Sequence, residues 1–160
     1  MANAPVKVRR MTHDDLMKVN QIDRQLFGEQ RVPTWPFSFE AYWALYHSNL
    51  SFVAEVDGRV VGFIVGSIAP EEHSRSVLNL RHTAEVESSH NQVGWIDMIG
   101  IDPGYQHMGI GQSLVKAFTD ECRQNDAAVR GIARESDKKL RSFFAGTGFK
   151  SSDMIIYEKD

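Results

Sequence analysis

The sequence has few of the features that mark secreted, membrane-bound or metal-binding proteins. Its 160 residues include one cysteine, Cys122, which excludes an internal disulfide and a cysteine-rich zinc site. No run approaches the roughly 18 apolar residues that a membrane-spanning helix needs. The first residues also lack the apolar core of a signal peptide. These absences predict a cytoplasmic protein that binds no metal and no membrane.

Neither sign of charge is in large excess. Eighteen Lys and Arg residues stand against 21 Asp and Glu residues, which gives a formal net charge of −3. Because nucleic-acid binding normally depends on a net attraction to phosphates, we expect no nucleic-acid partner. A local pocket for one phosphorylated cofactor is compatible with this balance. The chain length predicts one domain over residues 1–160.

Apolar periodicity and turn signals predict a mixed α/β fold. Asp57-Gly58 is typical of a tight hairpin, and Thr12 with Asp15 resembles a helix-capping box. The segment 70–93 is expected to be a long loop or insertion. The expected strands cover 6–11, 50–56, 59–68, 94–101, 128–133, 149–151 and 154–157. One expected helix begins after Thr12, and three more cover 38–46, 109–124 and 136–145. The prediction is therefore a mixed sheet of about seven strands flanked by about four helices.

A buried strand, a glycine-bearing loop and a helix follow one another between residues 94 and 124. The loop contains Gln106-x-x-Gly109-x-Gly111. Glycines let an anion approach the backbone, and the first amides of a helix have no internal partner, so the loop can hold a pyrophosphate. A nucleoside-triphosphate loop needs lysine where Gln112 stands, and a dinucleotide loop needs glycine where Leu114 stands. A strand-to-helix turn without any ligand is the remaining alternative.

These features together resemble the GNAT superfamily of acyl-CoA-dependent N-acyltransferases. The family's cofactor motif, x-Pro-x-x-(Gln/Arg)-x-x-Gly-x-(Gly/Ala) before a helix, is matched from Asp102 to Gly111. The hairpin at 53–63 and the closing Gly148-Phe149 also match, and the resemblance is weakest over 70–93. It implies acetyl-CoA as cosubstrate, an amine as acceptor, and a sheet that splays between its fourth and fifth strands.

The resemblance also implies roles for individual residues. The opened strand edge would pair with the pantetheine arm, and the backbone amide of Ile99 would donate to the thioester carbonyl and stabilise its developing charge. Phe144 would contact the cofactor from the last helix. The full set of expected cofactor-binding residues is Ile99, Gly100, Ile101, Gln106, His107, Met108, Gly109, Ile110, Gly111, Gln112 and Phe144.

Asp97 is the candidate general base, because the family often draws its base from a carboxylate on the fourth strand. Strand alternation predicts that Trp95, Asp97, Ile99 and Ile101 share one face. The alternative is a structural Asp97 that is paired with an arginine or caps a loop. The expected substrate contacts are Trp35, Phe37, Trp95 and Asp97.

The general acid is the main departure from the family pattern. Phe144 stands where many members carry a tyrosine, so Tyr105, Tyr157 or water would have to protonate the leaving thiolate. The predicted function is acetyl transfer from acetyl-CoA to a primary amine, by direct attack in a ternary complex. The amine belongs to a small molecule, a lysine side chain or a protein N-terminus. A catalytically silent acyl-CoA sensor or interaction module is the alternative, and a homodimer is left open.

Overall fold

The computed structural model describes residues 5–28, 37–46, 48–70 and 90–152. Short 3₁₀ turns at His13–Asp15 and Pro103–Tyr105 precede the first and third helices. The elements in chain order are β1 (Lys7–Arg10), α1 (Leu16–Phe27), α2 (Phe39–Leu45), β2 (Leu50–Val56), β3 (Arg59–Pro70), β4 (Gln92–Ile101), α3 (Ile110–Gln124), β5 (Ala127–Gly131) and α4 (Lys138–Gly146).

The five strands of the described residues form one sheet in the order β1-β2-β3-β4-β5. The neighbouring strands β1–β2, β2–β3 and β3–β4 pair antiparallel, and β4–β5 pair parallel. This arrangement confirms the predicted mixed α/β fold. Of the seven expected strands, the one at 154–157 lies outside the described residues. The segment expected to be a loop over 70–93 is shorter at both ends, because β3 runs to Pro70 and β4 begins at Gln92; residues 71–89 lie outside the described part.

The turn signals of the sequence form the predicted local structures. Asp57 and Gly58 both have positive φ, 50° and 72°, as a tight turn between β2 and β3 requires. The amide of Thr12 donates to the Asp15 carboxylate at 2.8 Å, which satisfies one free donor before α1. Both predictions are confirmed.

Helices cover both faces of the sheet, and β3 is buried on both of them. On one face, α1 and α2 pack against β3 through Val19, Ile22 and Phe39, all fully buried. On the other face, α3 packs through Leu114, Phe118 and Cys122. Because both clusters are closely packed, they fix the positions of α1 and α3 relative to β4.

The sheet splays between β4 and β5, as predicted. Their pairing ends at Ile96 opposite Gly131, although β4 continues to Ile101. At the same point, Val65 of β3 pairs with Met98 and Gly66 pairs with Ile96, so Asp97 is an extra, bulged residue. A β-bulge bends its strand and increases the local twist. The bulge therefore coincides with the divergence that opens the sheet.

The strand expected at 149–151 is wrong, because Phe149 completes the end of α4. Its amide donates to the Phe144 carbonyl at 3.0 Å, and the Gly148 amide donates to Ala145 at 3.2 Å. Gly148 has φ of 91°, and the Phe144 and Phe149 rings lie 5.0 Å apart. This is a Schellman motif with its hydrophobic contact. It seats Phe144 over Gly131, at the end of β5.

Close packing of α3 on β4 leads to a testable prediction at Gly94. A Cβ added there would lie 2.2 Å from Cys122 Sγ and 3.3 Å from Phe118. We expect Gly94→Ala to lower the free energy of unfolding by about 1–3 kcal/mol, because the helix must shift outward. Adding Cys122→Ala removes the sulfur and should restore part of that loss. Urea unfolding of both single variants and the double variant measures this coupling, and strictly additive losses would contradict it.

Candidate active site

A cleft of about 560 Å³ opens where β4 and β5 diverge. Its walls come from β4, from the glycine loop, from α4 and from the end of α1. Every residue expected to hold the cofactor lines this cleft except Met108, which instead packs against the core on the α3 face. The lining residues that matter below are Leu26, Phe27, Asp97, Ile99, Tyr105, His107, Gly109, Ile110, Gly111, Gln112, Asp137, Lys139, Phe143 and Phe144.

The glycine loop presents unpaired backbone amides to the cleft. Gly109 caps α3 in the left-handed conformation, with φ of 75° and ψ of 6°, and no side chain caps the helix there. The first hydrogen bond of α3 runs from the Ser113 amide to the Gly109 carbonyl at 3.0 Å. The amides of residues 110–112 precede that bond and have no intrahelical acceptor. The helix dipole adds partial positive charge at the same place, which favours an anion.

Gly111 is required by packing as well as by access to the backbone. A Cβ at this position would lie 2.8 Å from Cε2 of Phe143 on α4. The missing side chain therefore lets α4 approach the start of α3 and close one side of the cleft. The sequence interpretation included only the open path to the amides.

The hydrogen-bond pattern of β4 directs the Ile99 amide into the open side of the sheet. The backbone amide of Asp102 donates to the Val61 carbonyl at 2.8 Å. Bonded and non-bonded pairs alternate along an antiparallel ladder, so the pair Ile99–Ile64 does not exchange hydrogen bonds. Ile101, two residues further along, points its backbone groups to the same side as Ile99. Its carbonyl accepts from the Gln106 side chain at 3.4 Å and not from β3. The N–H of Ile99 therefore points away from β3, toward the side of β4 where β5 no longer pairs with it.

Asp97 lines the cleft, but the predicted sharing of one face along β4 is wrong. Ile96, Ile99 and Ile101 all pack on the α3 face. Asp97 bonds to a residue of α2 and Met98 packs in the cluster of α1 and α2, on the opposite face. The bulge at Asp97 interrupts the alternation, because one residue of β3 faces two residues of β4.

Burial makes Asp97 a weaker acid than usual. The carboxyl is largely removed from water, which raises its pKa from 3.8 to about 6, and the Tyr42 hydroxyl opposes this shift by donating to Oδ2 at 2.8 Å. Among the described residues, no Lys, Arg or His forms an ion pair with Asp97. The arginine-paired Asp97 considered as an alternative is thus not found there. A carboxylate with a pKa just below neutrality suits general-base chemistry.

The other expected substrate contacts are less central. Phe37 is 40% exposed, and its ring lies 6.5 Å from that of Tyr46. Trp95 lies under the guanidinium of Arg130, 5.9 Å from its ring centroid. Neither Phe37 nor Trp95 lines the cleft. Trp35 lies outside the described residues, as does Tyr157.

Two residues of the site were missed in the sequence. Tyr42 was not among the expected site residues, yet its hydroxyl donates to the Asp97 carboxylate. Lys139 lines the cleft near the start of α4, where it supplies a positive charge. The cleft also has two carboxyl groups, those of Asp97 and Asp137, and they have different partners. Asp97 accepts from the Tyr42 hydroxyl, whereas Asp137 caps α4 by accepting from the Leu140 amide at 3.1 Å. No local motif marks the contact between Tyr42 and Asp97, since the two residues are 55 positions apart in the sequence.

The described ranges contain no group of three or more His, Cys, Asp and Glu residues that could hold a metal ion. No helix within them is long and apolar enough to cross a membrane.

Comparison with known proteins identifies the family. The model of the acetyltransferase (GNAT) family matches residues 16–149. A curated relative, an uncharacterized N-acetyltransferase of Methanocaldococcus jannaschii, is 38% identical over 61 residues. That match covers 38% of this chain and 36% of the relative, about a third of its length.

Solved structures share the fold at low sequence identity. The aminoglycoside N-acetyltransferase AAC(6')-Iy in complex with CoA superposes with a TM-score of 0.69 at 16% identity, covering 99% of this chain and 97% of that one. The ribosomal-protein-alanine N-acetyltransferase from Brucella melitensis also gives 0.69 at 16% identity, covering 98% and 99%. These matches establish a common fold.

Proposed function

Because the chain belongs to the acetyltransferase (GNAT) family, we propose that it transfers an acetyl group from acetyl-CoA to a primary amine by direct attack in a ternary complex. The observation that carries this proposal is the cleft beside the splayed edge of β4, which is lined by Asp97 and Ile99 of that strand and by the free amides at the start of α3. The solved neighbour AAC(6')-Iy is in complex with CoA, which supports the choice of cosubstrate.

The cleft fits a thioester carried on a diphosphate. The amides of residues 110–112 and the Lys139 side chain suit the pyrophosphate, and the unpaired edge at Ile99 and Ile101 suits the amide groups of a pantetheine arm. Phe143 and Phe144 supply apolar wall on the α4 side. Acetyl-CoA brings an activated acyl group, and the chain's own task is to bind, orient and remove a proton.

Asp97 and Ile99 have complementary roles in this proposal. Asp97 takes the proton that the acceptor nitrogen loses as its electron pair bonds to the acetyl carbon. The electron pair of the carbon–sulfur bond leaves with the sulfur. The Ile99 amide stabilises the negative charge that develops on the carbonyl oxygen. Since Phe144 has no hydroxyl, Tyr105 in the cleft or water gives the departing sulfur its proton.

The acceptor is a small molecule, a lysine side chain or a protein N-terminus. The names of the solved neighbours include enzymes for aminoglycosides and for a ribosomal protein's alanine, which supports an amine in each case and does not select among them. The test is CoA thiol release from acetyl-CoA with a panel that contains polyamines, aminoglycosides, lysine peptides and free N-terminal peptides. Release with at least one acceptor supports transfer, and none with any acceptor despite CoA binding contradicts it.

A silent acyl-CoA binder is the second candidate function, and Phe144 is the observation that favours it. Its ring is held between Phe143 and Phe149 and lies over Gly131, so it acts as packing. Isothermal titration with CoA, read together with the acceptor panel, separates the two functions. Saturable CoA binding together with a silent acceptor panel would favour the sensor.

The pKa of Asp97 leads to a prediction for the pH dependence of turnover. With a pKa of about 6, Asp97 is the basic carboxylate above that pH and a neutral acid below it. We expect kcat/KM to fall on the acid side with a midpoint near pH 6, and to show a second inflection at the acceptor's own pKa. Rates from pH 5 to 10 with two acceptors of different pKa check this. The lower inflection should stay fixed while the upper one moves, and the absence of any inflection near pH 6 would contradict it.

A further inference from the structure

One hydrogen bond joins the second helix to the bulge of the splayed strand. The Tyr42 hydroxyl donates to Asp97 Oδ2 at 2.8 Å, across 55 residues of sequence. The acceptor is a carboxylate that lines the cleft, and the donor belongs to a fully buried residue of the core. The position of the reacting carboxylate thus depends on α2, which does not itself line the cleft.

The tyrosine ring is held so that its hydroxyl has little freedom to move. Tyr42 is fully buried, in the cluster that α1 and α2 form with β3. The Tyr46 ring stacks on it at 5.5 Å with an interplanar angle of 12°, and Phe39 lies 6.4 Å away. Ser38 caps the start of the same helix by accepting from the Ala41 amide at 3.1 Å. A rigidly held donor gives the carboxylate one preferred orientation.

The bond uses one of the two carboxylate oxygens. With Oδ2 bound to Tyr42, Asp97 keeps Oδ1 for a second partner, and Asp97 lines the cleft where an acceptor amine must come. A bulged residue has no fixed place in the strand ladder, so it needs such an anchor more than a regular strand residue does.

We propose that Tyr42 is a positioning residue for acetyl transfer, which holds the Asp97 carboxylate in place by donating a hydrogen bond from its hydroxyl to Oδ2 and leaves Oδ1 to take the proton of the acceptor amine. This inference rests on the proposed function, in which Asp97 is the base. Tyr42 keeps its own proton throughout, because burial and the neighbouring Asp97 raise its pKa well above the usual value. The bond also favours the charged carboxylate, which opposes the effect of burial.

Tyr42→Phe tests the inference, because it removes the hydroxyl and keeps the ring. We expect kcat/KM at pH 7 to fall about tenfold, the KM for acetyl-CoA to stay unchanged, and the acid limb of the profile to move up by about one pH unit. The matched control is Tyr46→Phe, which removes a hydroxyl from the stacked ring and should leave the limb in place. Adding Tyr42→Phe to Asp97→Asn should have no further effect on kcat/KM.

The outcomes separate this inference from the proposed function. A limb that stays in place in Tyr42→Phe, while Asp97→Asn loses activity, overturns the positioning role and leaves the base assignment standing. Activity that survives in Asp97→Asn overturns both. A direct carboxyl titration of Asp97 by NMR, in the wild type and in Tyr42→Phe, gives the same answer without turnover. An unchanged titration midpoint would overturn the positioning role.

Discussion

Replacing Asp97 by asparagine should lower kcat/KM at neutral pH by about 100- to 1,000-fold, which lies within the roughly 10²- to 10⁴-fold that general acid–base catalysis supplies. Asparagine has nearly the same shape and can still accept the Tyr42 hydroxyl, so the cleft should keep its form. It has no basic oxygen with a suitable pKa, so the acceptor must lose its proton unaided. The inflection near pH 6 should disappear, and the acceptor's own inflection should remain. Steady-state kinetics over pH 5–10 measure all of these effects.

The same substitution should stabilise the fold at neutral pH. The pKa of Asp97 is about 6 in the folded protein against the ordinary value of 3.8, so the folded state favours the protonated acid. Stability therefore falls as the pH rises from about 4 to 6, and the cost persists above 6. Removing the charge should recover up to about 3 kcal/mol, or about 5 °C or more in Tm. The gain should vanish below pH 4, where wild-type Asp97 is already neutral.

Asp15→Asn is the matched control, because Asp15 is a buried carboxylate with the opposite electrostatics. Arg9 lies 2.8 Å from its Oδ2 and lowers the pKa of Asp15 to about 2. This pairing stabilises the fold above pH 4 and is lost as the pH falls through 2. We expect Asp15→Asn to lose about 1–2 kcal/mol at neutral pH and to keep its kcat/KM. Full activity in Asp97→Asn, or equal destabilisation of both variants, would contradict the roles given to the two residues.

Gly109→Ala should weaken CoA binding by about tenfold or more. Gly109 has φ of 75°, and an alanine there is strained by about 1 kcal/mol even though its Cβ would meet only Gln112 Oε1, at 3.9 Å. Relief of that strain turns the peptide planes that precede α3, so the amides of residues 110–112 lose their common direction. Gly111 is less suitable for this test, because a Cβ there would also strike Phe143. Isothermal titration with CoA measures the change in Kd.

Gly58→Ala is the control for the glycine loop, because Gly58 carries nearly the same backbone strain and does not line the cleft. Its φ is 72°, and a Cβ there would meet nothing within 4 Å. Both variants should lose a similar amount of stability in urea unfolding, and only Gly109→Ala should lose affinity for CoA. Unchanged affinity in Gly109→Ala, with the same loss of stability, would show that the loop does not hold the diphosphate.

Local sequence signals were sufficient to predict much of the fold. Asp57-Gly58 encodes its turn through positive φ, and Thr12 with Asp15 encodes a helix start, because these signals depend on residues a few positions apart. The glycine loop was also recognisable, since its amides become free wherever a helix begins after glycine. The splay between β4 and β5 followed only from the family resemblance.

Features that depend on contacts between distant segments could not be predicted. Asp97 was predicted as the candidate base, but its bulge depends on the register with β3, so the face assignments along β4 were wrong. The Tyr42 bond spans 55 residues, and no local pattern encodes it. Phe149 is a residue type that favours strands. The turn at Gly148 nevertheless brings it back onto Phe144 and makes it part of a helix cap. The roles proposed for the cleft residues stay predictions.

Backbone amide NMR during a CoA titration tests the central claim most directly. The account predicts saturable shifts at Ile99, Gly109, Ile110, Gly111 and Gln112, with a common Kd, while the turn amides of Asp57 and Gly58 stay in place. Unmoved signals from the glycine loop at a saturating CoA concentration would contradict it.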